Sequence, residues 1–295
     1  DFDGKVTVEA AYVGNRGKHL LQMLPGNYPA FGPGATLGNI EARRPIAGYG
    51  HVSMIHSRAN SWYDALQLTA DTRLFKGLTS RVTYVYQSNF GLFNNDPTGN
   101  TNQQTSSPLN WDLDKGPEGP KQVFRSFFIY DVPLLANSTS LMGKIAGAWQ
   151  IAGSIYANSG SALNVDVGED RNYDANTPDR PNITGPVEYS SGSADERSAG
   201  WLANAGVFVP ATIGELGNLS RNAVRGPGAW GADMSVLKNF RFFEGKTIQF
   251  RAEAYNVLNH PNLGNPNLNL RNSDFNRIIT RNGNRSMQMG FRFLF

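Results

Sequence analysis

Cysteine is absent from all 295 residues. That excludes a disulfide framework, a thiolate metal centre and a cysteine nucleophile together. Histidine is scarce, with only His19, His51, His56 and His260. His51 and His56 lie five apart in an expected strand and would face opposite sides, so no histidine-based metal or nucleophile site is expected. No basic run occurs and the formal net charge is +3, which leaves no nucleic-acid footprint. Long apolar runs are missing too. The longest candidate, Phe127-Phe128-Ile129-Tyr130, is cut by Asp131 and Pro133, far short of the ~20 residues a spanning helix needs. Any membrane role must be carried by strands.

What is present is turn chemistry and alternation. The 32 glycines and 16 prolines point to extensive loops. The 40% hydrophobic content suffices for a barrel wall, where only every second residue is apolar. From Arg285 to Phe295 one face carries Met287, Met289, Phe291, Phe293 and Phe295. The other carries Ser286, Gln288, Gly290 and Arg292, and only Leu294 breaks the pattern. Ending on such a strand fits a Gram-negative outer-membrane β-barrel better than a soluble β-sandwich edge. The spacing of Gln288, Gly290, Phe293 and Phe295 resembles the signal read by the barrel-assembly machinery.

Eight segments have wall-strand length: Lys5 to Val13, Trp62 to Leu74, a third ending near Ser88, Gln122 to Asp131, Ile145 to Asn158, Ala232 to Arg241, a stretch around Ile248 to Ala254, and the terminal strand. In Gln122 to Asp131 both faces carry apolar residues, and Phe124, Phe128 and Tyr130 are assigned to the lipid side. Short links fall at 75–78, 132–144 and 242–246, and long ones at about 14–61, 89–121, 159–231 and 259–284. Short turns on one side and long loops on the other predict an all-β, transmembrane, antiparallel up-and-down barrel, with the short turns periplasmic. Phe75, Phe240, Phe242, Phe243, Phe293 and Phe295 would form an interfacial girdle at that end.

Candidate chemistry is thin. Asp170 to Asn176 has the alternating oxygen spacing of a calcium loop, yet Ala175 and Pro181 occupy the positions that want glycine and glutamate. A solvated loop is the expectation, and no catalytic, cofactor or metal residue is assigned. Ser159-Gly160-Ser161 and Ser190-Ser191-Gly192-Ser193 lack a nucleophile-elbow context. Gly14-Asn15-Arg16-Gly17 reads as a turn, and His260 as a turn stabiliser. Glu9, Asp71, Asp233 and Glu253 share a face with Arg73, Arg81, Arg125, Arg241, Arg251 and Arg292, the face that would line the lumen. On the lipid face Lys238 is the exception, and it is expected to snorkel at the periplasmic rim.

Several stretches together carry a family likeness. They are Ser61 to Leu68, Trp149 to Gly153, Asp179-Arg180-Pro181-Asn182, Gly217 to Asn222, Arg225-Gly226-Pro227-Gly228, Lys238-Asn239-Phe240 and Phe250 to Pro261. In order and spacing the chain resembles the C-terminal part of TonB-dependent transporters of the Oar-like group. The resemblance implies a barrel of about 22 strands, plugged by an N-terminal domain and driven by a TonB-type energy-coupling protein. Members often carry an acidic-Arg-Arg-His stretch where this chain has Glu118-Gly119-Pro120-Lys121-Gln122. The chain begins at Asp1 without an initiator methionine or signal peptide. Residues 1–295 are thus expected to be a fragment, the C-terminal part of one barrel embedded in outer-membrane lipid. Loops 14–61 and 159–231 are the expected solute contacts. The rival readings are a complete small barrel acting as an adhesin or structural protein, and a secreted β-sandwich binding module.

Overall fold

The computed structural model describes residues 6–30, 32–73, 77–92, 111–135, 138, 140–175, 179–241 and 246–295. Eight long strands dominate it: β1 (Val6–Pro25), β2 (Ser53–Thr72), β3 (Leu78–Leu92), β4 (Gln122–Asp131), β5 (Trp149–Asn158), β6 (Ala229–Arg241), β7 (Thr247–Tyr255) and β8 (Ser286–Leu294). They form one antiparallel meander in sequence order, β1 through β8. Three short helices join it, α1 (Trp111–Asp114), α2 (Leu141–Ala146) and α3 (Ala194–Ala199). No described helix is long and apolar enough to cross a membrane. Among the described residues β1 and β8 do not pair, so the sheet stays open.

Register decides which residues share a face, because directly opposed residues point the same way. One row runs Val8–Ala70–Val82–Ser126–Ile155–Ala232 across six strands. Another runs Trp149–Lys238–Phe250–Phe291. The neighbouring row, Asp71–Arg81–Phe127–Ser154–Asp233, is polar apart from one phenylalanine. The sheet therefore has one apolar face and one charged face. Phe124, Phe128 and Tyr130 lie on the apolar side as assigned, while Phe127 and Ile129 point to the other.

No described element packs over the whole apolar face. Its Met287, Met289 and Phe291 are 66%, 74% and 76% exposed. The buried apolar cluster lies elsewhere, within the long connections. A β-sandwich would bury one sheet face against another, so the soluble rival is not the fold seen. Lipid is the solvent that an uncovered apolar face of this kind suits.

Several elements differ from the expectation. The β1–β2 hairpin is longer, with 20 residues per strand, where about 9–11 suffice to span. Gly14-Asn15-Arg16-Gly17 is strand, paired with Ser61 to Asp64, and the register shifts only between Gly17 and Leu21, where His19 has φ 55°. That local break is a bulge in a continuing ladder rather than a turn. His51 precedes β2, so only His56 of that pair is in a strand. Ile145 lies in the last turn of α2 instead of a strand, and Ser140 caps that helix by accepting the Gly143 N–H. Of the proposed girdle, Phe75, Phe242 and Phe243 lie outside the described residues. Phe293 and Phe295 rings sit 5.9 Å apart.

Lys238 is the largest departure. Its side chain is 2% exposed, donates to the Gly147 carbonyl, and places Nζ 5.7 Å from the Trp149 ring and 5.5 Å from Phe240. The lysine does not snorkel, because the 132–148 connection folds back and supplies a carbonyl and aromatic faces in place of water. Lys238→Ala should cost about 2–4 kcal/mol by leaving a void under that turn. Lys238→Met, which keeps the volume and removes the charge, should recover most of the loss. Urea unfolding of the two variants in lipid vesicles measures both.

Candidate functional site

All four long connections, 26–52, 93–121, 159–228 and 256–285, emerge at one end of the sheet and the described parts pack into a cap. Its core joins Val165, Trp201, Leu202, Phe208, Leu219 and Val224 of the third connection to Leu268 and Ile278 of the fourth. Polar bonds stitch the same segments. Trp201 Nε1 donates to the Arg225 carbonyl at 2.7 Å. Asn276 bonds both sides of the Leu202 backbone, accepting its N–H at 2.7 Å and donating to its carbonyl at 2.9 Å. Arg43 of the first connection donates to the Tyr173 carbonyl at 2.5 Å. Within that first connection, buried Asn27 donates to the Ile46 and Gly50 carbonyls and accepts the Ile46 N–H.

The stretches that carried the family likeness sit where the cap is knotted. Arg180 and Asp114 form a buried ion pair at 2.6 Å that ties the third connection to α1. Asn218 Oδ1 accepts the Ile183 N–H at 2.7 Å, and Asn182 Oδ1 accepts the Asn218 N–H at 3.0 Å. Gly217 lies so near the Arg180 carbonyl that a Cβ there would come within 2.0 Å of it. A Cβ on Gly160 would meet the Gly226 carbonyl at 1.6 Å, so Arg225-Gly226-Pro227-Gly228 closes on the end of β5 at a distance only glycine permits. Asn256, at φ 49°, accepts the His260 N–H and donates to the His260 carbonyl. The His260 ring stacks on Trp230 at 4.0 Å. Its role is to fix a turn, as anticipated.

The acidic loop folds on itself. Asp170, Asp174 and Asp179 bring carboxylate oxygens within 4.8 Å of one another. Asp179 Oδ2 accepts the Arg171 and Asn172 N–H groups at 2.6 and 3.0 Å, and Asp170 accepts those of Asp174 and Ala175. These carboxylates are the residues that could hold a cation, yet their visible work is to satisfy backbone donors of a tight loop. Asp179, which sequence spacing left out, completes the group from outside the seven-residue stretch. Burial pushes the Asp170 carboxyl above the ordinary aspartate range, partly offset by those N–H donors. Glu196, exposed in the capping box of α3, is held lower by the Ser193 N–H.

The charged face carries guanidinium groups bonded to neighbouring side chains. Arg81 grips Asp71 through Nε and Nη2 at 2.5 and 2.8 Å. Arg125 donates to Asn158 at 2.7 Å and lies 5.6 Å from the Tyr156 ring. A recess of about 550 Å³ is lined by Arg81, Thr83, Arg125, Phe127, Ser154 and Tyr156. Glu253 pairs with Arg251 and accepts from Gln288. The arrangement can bind and sieve polar groups. It brings together no nucleophile, base and orienting group among the described residues. Of the assembly-signal residues, Gln288 and Gly290 are on the charged face, and Phe293 and Phe295 follow the apolar alternation.

Two measurements probe the cap. Asp114→Ala removes the carboxylate that pairs with a buried guanidinium and should cost about 3–5 kcal/mol, with Asp114→Leu plus Arg180→Met recovering most of it; hydrogen exchange across 159–228 reads the loss. For Asp170 the folded state takes up its proton at higher pH than the unfolded chain, so the ionised form costs stability and acid relieves that cost. Wild type should therefore gain protection relative to Asp170→Asn as pH falls from about 7 towards about 4. A parallel response of the two proteins would contradict the buried-carboxylate account.

Comparison with known proteins places this architecture. Among curated proteins none matches the sequence. Among solved structures, the outer membrane transporter YddB from Escherichia coli aligns with 100% of this chain at 8% identity and a TM-score of 0.46. The chain spans 30% of that protein's length. The family described as outer membrane beta barrel domain matches residues 1–288. The protein resides in the outer membrane, and the chain belongs to the outer membrane beta barrel domain family.

Proposed function

We propose that residues 1–295 form the C-terminal part of the barrel of a TonB-dependent transporter, as the Oar-like resemblance implies, taking up a bulky or scarce solute. The observation that carries this reading is the one-sided, eight-stranded meander whose outer edges, β1 and β8, have no partner strand among the described residues. Unpaired strand edges are untenable in lipid, so more wall strands must complete the ring. The charged face then lines a lumen wide enough for a plug, and the cap over 159–228 and 256–285 meets solute from outside. Energy reaches the plug through a TonB-type partner contacting the N-terminal part of the protein. The assembly machinery reads Gln288, Gly290, Phe293 and Phe295 on β8.

The native polypeptide ending at Phe295, purified from outer membranes, should have a mass several times 32.3 kDa. A second test exploits the absence of native cysteine. Cysteine pairs placed at Val8 or Ala10 on β1 and Met287 or Met289 on β8 should not cross-link within one molecule. A 32.3 kDa membrane species with efficient β1–β8 cross-links would establish a self-closed small barrel and end the transporter reading.

A further inference from the structure

The recess on the charged face is built from two adjacent rows of side chains. Arg81, Phe127 and Ser154 stand on one row, and Thr83, Arg125 and Tyr156 on the next, so β3, β4 and β5 each supply a pair. Arg125 is about 10 Å of strand below Gln122, where β4 meets the long connections. Tyr156 lies just below Asn158, the last residue of β5 before the third connection. The recess therefore sits at the loop end of this part of the sheet, close to the segments that form the cap.

Its charges do not cancel. The Arg81 guanidinium is spent on Asp71, and Arg251 on the same face pairs with Glu253. Arg125 has no carboxylate partner among the described residues. Its Nη1 donates to the Phe124 carbonyl at 2.9 Å and to Asn158 Oδ1 at 2.7 Å, while Nε and Nη2 make no bond among those residues. Glu9, on the Arg125 row, is three strands away, about 14 Å across the sheet. Asp233, two strands away, accepts the Asn256 N–H.

The free fork is also held in place. The Arg125 guanidinium lies 5.6 Å from the Tyr156 ring. That ring in turn lies over Gly231 of β6, where a Cβ would come within 2.8 Å of it. Gly231 thus leaves the room that lets Tyr156 lie along the wall beside Arg125. Phe127, 48% exposed on an otherwise polar row, adds an uncovered apolar ring, and Thr83 and Ser154 add hydroxyls.

We infer that this recess is a subsite for a solute carrying a carboxylate or phosphate group beside a flat apolar body. Two oxygens of the anion would meet Nε and Nη2 of Arg125 side by side, the fork geometry that such groups match. The apolar body would lie against Phe127 and Tyr156. A guanidinium already tethered to Asn158 and placed beside a ring loses little freedom on binding. The inference rests on the transporter reading and names the chemistry of its solute. Placement near the loop end favours a solute arriving from outside over an acidic side chain of the plug.

The probes are 2-naphthoate and its neutral counterpart 2-naphthamide, titrated by saturation-transfer NMR into the full-length protein in detergent. Naphthoate should bind about tenfold more tightly than the amide, the worth of one charge-assisted pair. Arg125→Gln should abolish that difference, and Arg125→Lys, which restores the charge, should keep part of it and guard against a folding artefact. Tyr156→Leu should weaken both probes about threefold. Equal affinities in the wild type, or a preference that survives Arg125→Gln, would overturn the inference. So would absent naphthoate binding with plug amides that exchange faster in Arg125→Gln, which marks the guanidinium as a plug contact. The native mass separates these failures from that of the transporter reading. A species several times 32.3 kDa without the preference defeats the subsite alone. A closed 32.3 kDa barrel defeats transport, and with it the role given to the subsite, even where the preference persists.

Discussion

Backbone hydrogen bonding without water governs this structure. A peptide group facing hydrocarbon has no solvent to pair with, so each N–H and C=O must find a protein partner. The chain meets this by running β1 to β8 as sequential antiparallel neighbours, each ladder continuous from one short turn to the next. The same demand makes the outer edges of β1 and β8 the most informative places in the fold. They are where the transporter reading proposed above places further strands.

The hydrophobic effect acts in a different compartment. Across the sheet, apolar side chains face a solvent as apolar as themselves, and no core forms beneath them. In the cap, water surrounds the connections, and there Val165, Trp201, Leu219 and Ile278 close into a true core. The long connections are consequently a folded unit held by apolar burial, one buried ion pair and asparagine bridges. In the transport reading proposed above, a surface assembled this way presents pre-set contacts to a solute instead of ordering on arrival.

Charges on the outward face are few and each is answered locally. A carboxylate or ammonium there costs about 2–4 kcal/mol at mid-membrane and far less at the boundaries. Asp64 sits high on the wall and is neutralised by Arg16 and Tyr12. Lys238 sits towards the short-turn end and is roofed by the Gly147 turn and its aromatic neighbours. The charged face follows the opposite rule, with guanidinium and carboxylate groups paired across neighbouring strands in an aqueous setting, as Asp71 and Arg81 are.

Alternation alone was enough to find all eight strands and their faces, because a side-chain period of two is imposed by the backbone wherever one face meets lipid. Connection lengths likewise revealed which ends carry loops. What alternation could not show was how far β1 and β2 continue beyond the apolar band. Strand pairing there depends on a partner, not on polarity, so Gly14 to Gly17 reads as a turn until Ser61 to Asp64 lie beside it. Asp64 escaped notice for the same reason. The family motifs named the right places, yet only tertiary packing showed their work, since Asp114 meets Arg180 and Gly160 meets Gly226 across 66 residues each. Local pattern determined the wall because its constraint acts residue by residue along the strand. The cap and the roof over Lys238 were decided by contacts between segments distant in sequence, which no local period encodes.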